Sequence, residues 1–172
     1  MSKQHILVVD DEAGVRNSLL GVLEDEGYRV DTVSSAEAAL DRLVSKQYDL
    51  VLLDIWIPNM DGMEALEQIR KRDLDTAVVM ISGHGTIESA VKAIQLGAYN
   101  FVEKPLSLDK TVIAVRNALK QRQLETQNRY LRERVQSKQV LIGESPVMCE
   151  LRKQISIVAP TNGRVLVFGE NG

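Results

Sequence analysis

The chain has 172 residues, of which 44% are hydrophobic, so it can bury the core of one domain and has additional sequence beyond it. A formal net charge of −3 and a pI of about 5.5 exclude a protein that binds nucleic acid through overall positive charge. The single cysteine, Cys149, excludes an internal disulfide bond and fits a reducing compartment. With no signal peptide and no apolar stretch of membrane-spanning length, we expect a cytoplasmic protein without a membrane partner.

Apolar runs that are typical of buried strands alternate with amphipathic helical patterns. The predicted strands are residues 6–9, 29–33, 50–54, 77–81 and 100–103. Each is followed by a helical pattern, and this alternation predicts an α/β fold in which helices cover both faces of a parallel sheet.

Local signals mark the ends of the first four helices. Gly27 ends the first helix and Gly97 the fourth, because glycine readily adopts the left-handed conformation found there. Ser34 and Glu37 form a capping box for the second helix, and the third begins near Asp61. The residues assigned to buried faces are, helix by helix, Val15, Leu19, Val22 and Leu23; Ala36, Ala39, Leu40 and Leu43; Met63, Leu66 and Ile69; Ile87, Ala90, Val91 and Ile94.

The fifth helix begins near Ser107 and meets no glycine or proline before Gly143, which is too long for one face of a small domain. One face can pack on the sheet through Val112, Val115 and Leu119. A second stripe has the three-and-four spacing of a coiled-coil seam. Its members are Ile113, Asn117, Leu124, Asn128, Leu131 and Val135. A solvated connector helix is the alternative, because the polar members weaken the seam.

Residues 120–138 contain six basic and two acidic residues, which gives a local net charge of +4. Such a run can bind DNA phosphates, but no DNA-reading motif accompanies it. We therefore interpret it as a charged, solvated helix face.

After Gly143 the pattern indicates the start of a second α/β unit. A helix opens at Ser145-Pro146, residues 160–163 form a turn, and residues 164–168 read as a buried strand. The apolar residues of that helix are Met148, Leu151 and Ile155. The residues after the strand are Gly169, Glu170, Asn171 and Gly172.

Acidic residues follow the first and third strands. Asp10 and Asp11 follow the first strand, and Asp54 closes the third. The carboxyl ends of parallel strands meet at one edge of the sheet, where ligands bind. Clustered carboxylates repel one another unless a cation lies among them, and hard oxygen ligands favour Mg²⁺. The sequence therefore predicts a magnesium site with one acid able to do chemistry.

Ser82 and Lys104 follow the fourth and fifth strands and complete this set. An aspartate can accept a phosphoryl group as an acyl phosphate, a reaction that needs mainly positioning and charge neutralisation. Asp54 fits that role, with a hydroxyl from Ser82 and an ammonium from Lys104 for the phosphoryl oxygens. Each residue alone has an ordinary alternative, such as an acid that only caps the next helix. The bond before Pro105 can be cis or trans.

The motifs, in this order and spacing, resemble the receiver domain of two-component response regulators over residues 3–121. They are Asp10-Asp11-Glu12, Leu53-Asp54, Pro58-Asn59-Met60-Asp61-Gly62, Ser82-Gly83-His84 and Lys104-Pro105. The resemblance implies a flavodoxin-like (βα)5 fold with strand order 2-1-3-4-5, and Asp54 as the phosphoacceptor for a sensor histidine kinase. It implies that Asp11, Asp54 and the backbone carbonyl of Trp56 hold Mg²⁺, with Asp10 acting through water.

The resemblance also implies that Ser82 and Lys104 bind the phosphoryl group. Phe101 would be the aromatic switch, turning inward as Ser82 moves, although a core role for Phe101 is compatible with this. We interpret His84 as a solvent-facing loop residue and not as a ligand.

The end of the chain resembles the opening of the AAA+ ATPase domain of sigma-54-dependent activators of the NtrC and NtrX group. This resemblance rests on residues 141–148 and 165–172. It implies a linker helix over residues 122–139, an ATPase fragment over residues 140–172, and the first glycine of a P-loop at Gly169. ATP, sigma-54 RNA polymerase, DNA and higher oligomers would then belong to the full-length protein. This chain would dimerise but not hydrolyse ATP, because the sequence stops before the P-loop lysine.

We therefore predict a phosphorylation-controlled transcriptional response regulator, not an enzyme. An aspartate-nucleophile phosphatase usually needs a second acid two residues after the nucleophile, where this chain has Trp56. A constitutive dimerisation scaffold is disfavoured by the full set of acids with Ser82 and Lys104. Whether phosphorylation makes or breaks the dimer is left open by the sequence.

Overall fold

The structure is a computed structural model that describes residues 3–72, 74–83, 86–137, 143, 145–160 and 166. The chain divides into two compact units, Met1–Thr126 and Gln127–Gly172. Three sequence predictions fall outside the described residues. They are the loop position of His84, the P-loop start at residues 169–172 and, apart from Leu166, the strand at residues 164–168. Within the described part of the chain, no helix is long and apolar enough to cross a membrane.

Five parallel strands form one sheet in the order β2-β1-β3-β4-β5. They are β1 (His5–Val9), β2 (Arg29–Val33), β3 (Leu50–Asp54), β4 (Ala77–Ser82) and β5 (Asn100–Glu103). This confirms the predicted flavodoxin-like topology. Two bounds differ by one residue, because His5 pairs with Arg29 and Ser82 pairs with Glu103, which extends β1 and β4.

Helices cover both faces of the sheet. They are α1 (Ala13–Asp25), α2 (Ala36–Ser45), α3 (Gly62–Lys71), α4 (Ile87–Gln95) and α5 (Leu108–Ser137), with α6 (Pro146–Val158) in the second unit. Alternate residues of β3 enter opposite cores. Val51 and Leu53 pack with α2 and α3, whereas Leu50 and Leu52 pack with α1 and α5. Burial on both faces is why the central strands β1, β3 and β4 read as apolar runs.

The helix-end signals are mostly confirmed. The Asp61 carboxylate caps α3 by accepting a hydrogen bond from the backbone N–H of Glu64 at 2.8 Å. Gly27 and Gly97 have positive φ angles of 89° and 96°, as expected of residues that follow a helix end. The predicted cap of α2 was wrong by one residue, because the hydroxyl of Ser35 accepts the hydrogen bond from Ala38 at 3.2 Å.

The predicted buried face of α4 was wrong. Ile87, Val91 and Ile94 are 85%, 49% and 49% exposed, and Ala93 is the buried residue of this helix. The helix packs on the core through the small Ala93 side chain, so its larger apolar residues form an exposed ridge. In α1, Leu19 and Leu23 are buried as predicted.

The long helix α5 has the two predicted faces. Val112, Val115 and Leu119 are buried, whereas the stripe residues Ile113 and Leu124 are more than half exposed. The side chain of residue 135 lies outside the described part of the helix. The helix predicted to open at Ser145-Pro146 is α6, in which the hydroxyl of Ser145 accepts a hydrogen bond from Met148. Its apolar residues Met148, Leu151 and Ile155 are half-buried.

Candidate functional site

Four strand ends bring their polar residues together at the carboxyl edge of the sheet. Asp10 follows β1, Asp54 ends β3, Ser82 ends β4 and Lys104 follows β5. Asp10, Asp54 and Ser82 are almost completely buried. Burying two neighbouring carboxylates costs free energy unless a cation compensates their charge, so the pocket favours a bound cation.

Three carboxylates in this pocket could share one metal ion. Asp10, Asp11 and Asp54 each offer an oxygen, and these oxygens all lie within 4.8 Å of one another. Asp10 Oδ2 is buried and pairs with the Lys104 ammonium at 3.0 Å. A set of hard carboxylate oxygens is what Mg²⁺ prefers.

Lys104 provides a cation within the same pocket. Its Nζ lies 2.8 Å from Asp54 Oδ2, 3.0 Å from Asp10 Oδ2 and 3.2 Å from Glu12 Oε1. Burial alone would lower the pKa of Lys104, but hydrogen bonds to the three carboxylates, led by Asp54, raise it above its usual value. Burial raises the pKa of Asp10 despite the opposing effect of Lys104. The lysine therefore stays protonated at neutral pH.

Backbone amides orient the two buried carboxylates. Asp10 Oδ1 accepts a hydrogen bond from Glu12 N at 2.9 Å, and Asp54 Oδ1 accepts one from Trp56 N at 3.2 Å. In both residues the second oxygen, Oδ2, faces Lys104. These bonds hold the acids in place before any ligand arrives.

Sequence reasoning overlooked two residues of this site. Glu12 is the N-cap residue of α1, yet its side chain makes no capping bond and instead reaches Lys104. Arg16, one turn into α1, donates hydrogen bonds to the backbone carbonyls of Asp10 and Asp11. A usable signal was the position of Arg16 one helical turn after the acids, since helical side chains lean toward the helix N-terminus.

Gly62 allows α3 to approach the acidic pocket closely. A Cβ atom at this position would lie 2.1 Å from the backbone oxygen of Asp54. The Gly62 N–H donates to the carbonyl of Ile55 at 2.9 Å. Asn59, in the preceding loop, has a left-handed φ of 70°, which asparagine tolerates better than most residues. The conformation of the loop after β3 thus requires a glycine at position 62 and, at position 59, a residue that tolerates a positive φ angle.

The remaining predicted residues border the pocket. The side chain of Trp56 is 61% exposed. Phe101 is half-buried, packs against the core on the α2 and α3 face, and lines a cavity of about 650 Å³. The peptide bond before Pro105 is cis. The metal, phosphoryl-binding and switch roles of these residues stay predictions.

The fold and the acidic pocket define the class of flavodoxin-like signalling domains. A family model described as the response regulator receiver domain matches residues 6–116, about two thirds of the chain. The chain therefore belongs to the response regulator receiver family. Receivers are Mg²⁺-using phosphoacceptor modules whose partners are histidine kinases, and the acidic cluster is in keeping with that chemistry.

The chain is also similar to longer regulatory proteins. The nitrogen assimilation regulatory protein NtrX of Azorhizobium caulinodans is 41% identical over 169 residues, which cover 97% of this chain and 37% of that protein. The C4-dicarboxylate transport transcriptional regulatory protein DctD of Rhizobium meliloti is 37% identical over 170 residues, with the same coverage. A crystal structure of NtrX from Brucella abortus matches with a TM-score of 0.73 and 42% identity, covering 95% of this chain and 36% of that one. The chain spans little more than a third of these relatives' length.

Proposed function

We propose that Asp54 accepts a phosphoryl group from a phosphohistidine of a sensor kinase and that this event controls a sigma-54-dependent transcription activator. The observation that carries the proposal is the contact of Lys104 Nζ with Asp54 Oδ2 at 2.8 Å, inside a cluster of three carboxylates. A buried lysine beside a strand-end aspartate supplies the charge that an incoming phosphoryl group needs.

In the proposed reaction, a carboxylate oxygen of Asp54 attacks the phosphorus. A P–O bond forms, the P–N bond of the phosphohistidine breaks, and its electron pair returns to the imidazole nitrogen. Bound Mg²⁺ would supply charge neutralisation for the phosphoryl oxygens. Asp11, Asp54 and the Trp56 carbonyl would hold it, with Asp10 acting through water.

Lys104 and Ser82 stabilise the product in this proposal. Lys104 exchanges its contact with the Asp54 carboxylate for one with a phosphoryl oxygen, and Ser82 donates its hydroxyl to another. Ser82 is fully buried at the end of β4, so its movement must be accommodated by neighbouring residues. In this proposal the ring of Phe101, which borders an open pocket of about 650 Å³, turns inward as Ser82 moves. Together Ser82 and Phe101 would pass the change to β5 and α5.

Intact-mass measurement after incubation with acetyl phosphate tests this proposal. We expect the parent chain to gain one phosphoryl group in the presence of Mg²⁺ and to gain none after chelation. Asp54→Asn should abolish the gain, whereas Asp41→Asn, a matched change at an exposed aspartate of α2, should leave it intact. Equal uptake by Asp54→Asn and the parent would reject the proposal.

We also propose that the exposed stripe of α5 pairs with the same stripe of a second chain. Leu124 and Leu131 are 57% and 60% exposed, which is unusual for leucines on a helix that carries regular apolar spacing. A paired helix would bury both residues.

Light scattering on matched variants tests the dimer. Leu131→Ser should weaken dimerisation, whereas Tyr130→Ser should not, because Tyr130 is similarly exposed but lies off the stripe. A chain ending at Thr126, the last residue of the first unit, should lose the dimer in the unphosphorylated state. The same number of subunits per particle in all these chains, with and without beryllofluoride, would exclude the linker dimer.

Residues 140–172 are proposed to begin the AAA+ domain of a longer protein. Support comes from the sequence resemblance and from similarity to NtrX and DctD across nearly the whole chain. ATP binding, sigma-54 RNA polymerase contact and DNA binding would then reside in regions beyond this sequence. ATP should leave the unfolding midpoint of this chain unchanged, and a clear upward shift would contradict the assignment.

A further inference from the structure

We propose that Arg16 is a positioning residue for the metal and phosphoryl-transfer site. Its guanidinium fixes the peptide units that carry Asp10 and Asp11, so that both carboxylates are held toward Asp54. The inference rests on the proposed function of this acidic cluster.

The geometry of α1 brings Arg16 back over the acidic loop. The backbone N–H of Arg16 donates to the carbonyl of Glu12 at 3.1 Å, in the first turn of the helix. The side chain then folds toward the helix N-terminus, where its NH1 nitrogen lies 2.6 Å from the carbonyl oxygen of Asp10 and 2.8 Å from that of Asp11. This nitrogen carries two hydrogens, so it can serve both carbonyls at once.

These bonds complete the fixation of Asp10. Its backbone N–H donates to the carbonyl of Val33 at 3.3 Å, and its Oδ1 accepts from Glu12 N at 2.9 Å. Once Arg16 holds the carbonyl, Oδ2 is the oxygen left to face the cluster. An ordered outer shell of this kind is what keeps metal ligands at their working positions.

Asp11 depends on Arg16 even more. Asp11 is exposed, so core packing does not fix its orientation. The bond from Arg16 to its carbonyl therefore provides a local anchor for the most accessible member of the cluster. If that anchor is lost, the carboxylate samples more orientations and the cluster is less well formed before the metal binds.

Charge and position predict opposite effects of removing Arg16. As a cation beside three carboxylates, Arg16 repels a divalent ion, so its removal would tighten Mg²⁺ binding if charge alone mattered. As a positioning residue it favours binding, so its removal weakens Mg²⁺ affinity, typically by about tenfold or more for an outer-shell residue. The sign of the change therefore identifies the role.

The test is an Mg²⁺ titration of the full chain followed by Trp56 fluorescence and, independently, by the Mg²⁺-induced shift in the unfolding midpoint. We expect Arg16→Met to bind Mg²⁺ about tenfold more weakly than the parent. Arg116→Met is the matched control, because Arg116 is exposed and pairs with Glu26, and it should bind like the parent. Unchanged or tighter binding by Arg16→Met would overturn the inference.

Arg16→Lys keeps the inference testable if Arg16→Met fails to fold. Lysine keeps the charge, but its side chain is one bond shorter and is poorly placed to reach both carbonyls. We expect weaker Mg²⁺ binding than in the parent, and parental affinity in Arg16→Lys would count against positioning. Absence of any Mg²⁺ response in the parent would overturn the proposed function as well, whereas a parental response with unaltered Arg16 variants would overturn the positioning role alone.

Discussion

Lys104 places one ammonium group against three carboxylates, two of which are buried. Its contacts with Asp54, Asp10 and Glu12 all lie at or below 3.2 Å. Without this charge, Asp10 and Asp54 would be buried side by side with no compensating cation. The lysine thus stabilises the metal-free state, and in the proposed function the same ammonium binds the phosphoryl group.

Lys104→Met should therefore lower the free energy of unfolding of the metal-free chain by on the order of 2 kcal/mol, because breaking a buried ion pair leaves charges uncompensated. Mg²⁺ should recover part of this loss, so the stabilisation by Mg²⁺ should be larger in the variant than in the parent. Urea unfolding with and without Mg²⁺ measures both effects. Lys71→Met, at an exposed lysine, should change neither, and an equal Mg²⁺ effect in Lys104→Met and the parent would contradict the expectation.

Asp31 anchors a second polar cluster beside the edge strand β2. Its Oδ2 lies 2.6 Å from Lys46 Nζ, 2.6 Å from the hydroxyl of Tyr48 and 3.2 Å from His5 Nε2. Burial would raise the pKa of Asp31, but the hydrogen bonds from Lys46 and Tyr48 outweigh it and lower the pKa from 3.8 to about 2. Burial and the hydrogen bond to Asp31 raise the pKa of the Tyr48 hydroxyl to about 12.

A lowered carboxylate pKa gives stability that is present above pH 3.8 and lost as the pH falls toward 2. Asp31→Asn should therefore be less stable than the parent by about 2 kcal/mol at pH 7. The difference in free energy of unfolding between the parent and Asp31→Asn should decrease as the pH falls from 3.8 toward 2. Urea unfolding at a series of pH values tests this expectation, with Asp41→Asn as a control at an exposed aspartate. A stability difference between Asp31→Asn and the parent that stays constant down to pH 2 would contradict it.

The central strands β1, β3 and β4 were predictable because burial on both faces makes each of them a nearly unbroken apolar run. Helix faces were less predictable, as α4 demonstrates. The periodic residues Ile87, Val91 and Ile94 suggested a buried stripe, but Ala93 makes the core contact. Periodicity shows that a helix has an apolar face, whereas the partner of that face depends on tertiary packing.

Around Arg122, α5 is held to the rest of the first unit by polar contacts that the sequence did not suggest. Arg122 donates from NH1 to Asp49 Oδ1 and from NH2 to the carbonyl of Asp75, both at 2.7 Å. One turn further along α5, the Tyr99 hydroxyl donates to the Glu125 carboxylate. These partners are far apart in the chain, so only the folded structure reveals them.

Arg122→Met should destabilise the first unit by roughly 1 to 2 kcal/mol, because two charge-assisted hydrogen bonds are lost and Asp49 loses its cation. Lys120→Met, two residues away at an exposed position, should cost less than about 0.5 kcal/mol. Urea unfolding of a chain that ends at Thr126 isolates the effect from the second unit. Equal stability of the two variants would show that this part of α5 is not fastened by Arg122.

At the scale of the whole chain, a receiver is followed by a second compact unit that starts at Gln127, within α5. The residues of the acidic pocket could be predicted because parallel topology collects strand ends at one edge, which assigned Asp10, Asp11, Asp54, Ser82 and Lys104 to one place. The supporting contacts of Arg16 and Glu12 were not predicted, because they depend on side-chain direction at the start of α1 and not on strand order. If the proposed α5 dimer forms, phosphorylation and dimerisation are expected to be linked, because α5 packs on the same sheet that carries the acidic pocket.

Mapping the phosphorylated residue tests the central proposal most directly. Borohydride reduction of the acetyl-phosphate-treated chain converts an aspartyl phosphate to homoserine, which peptide mass spectrometry locates. We expect the modification in the parent at Asp54 alone, and only when Mg²⁺ is present. Modification at another residue, or none despite a folded chain with bound Mg²⁺, would contradict the assignment of Asp54 as the phosphoacceptor.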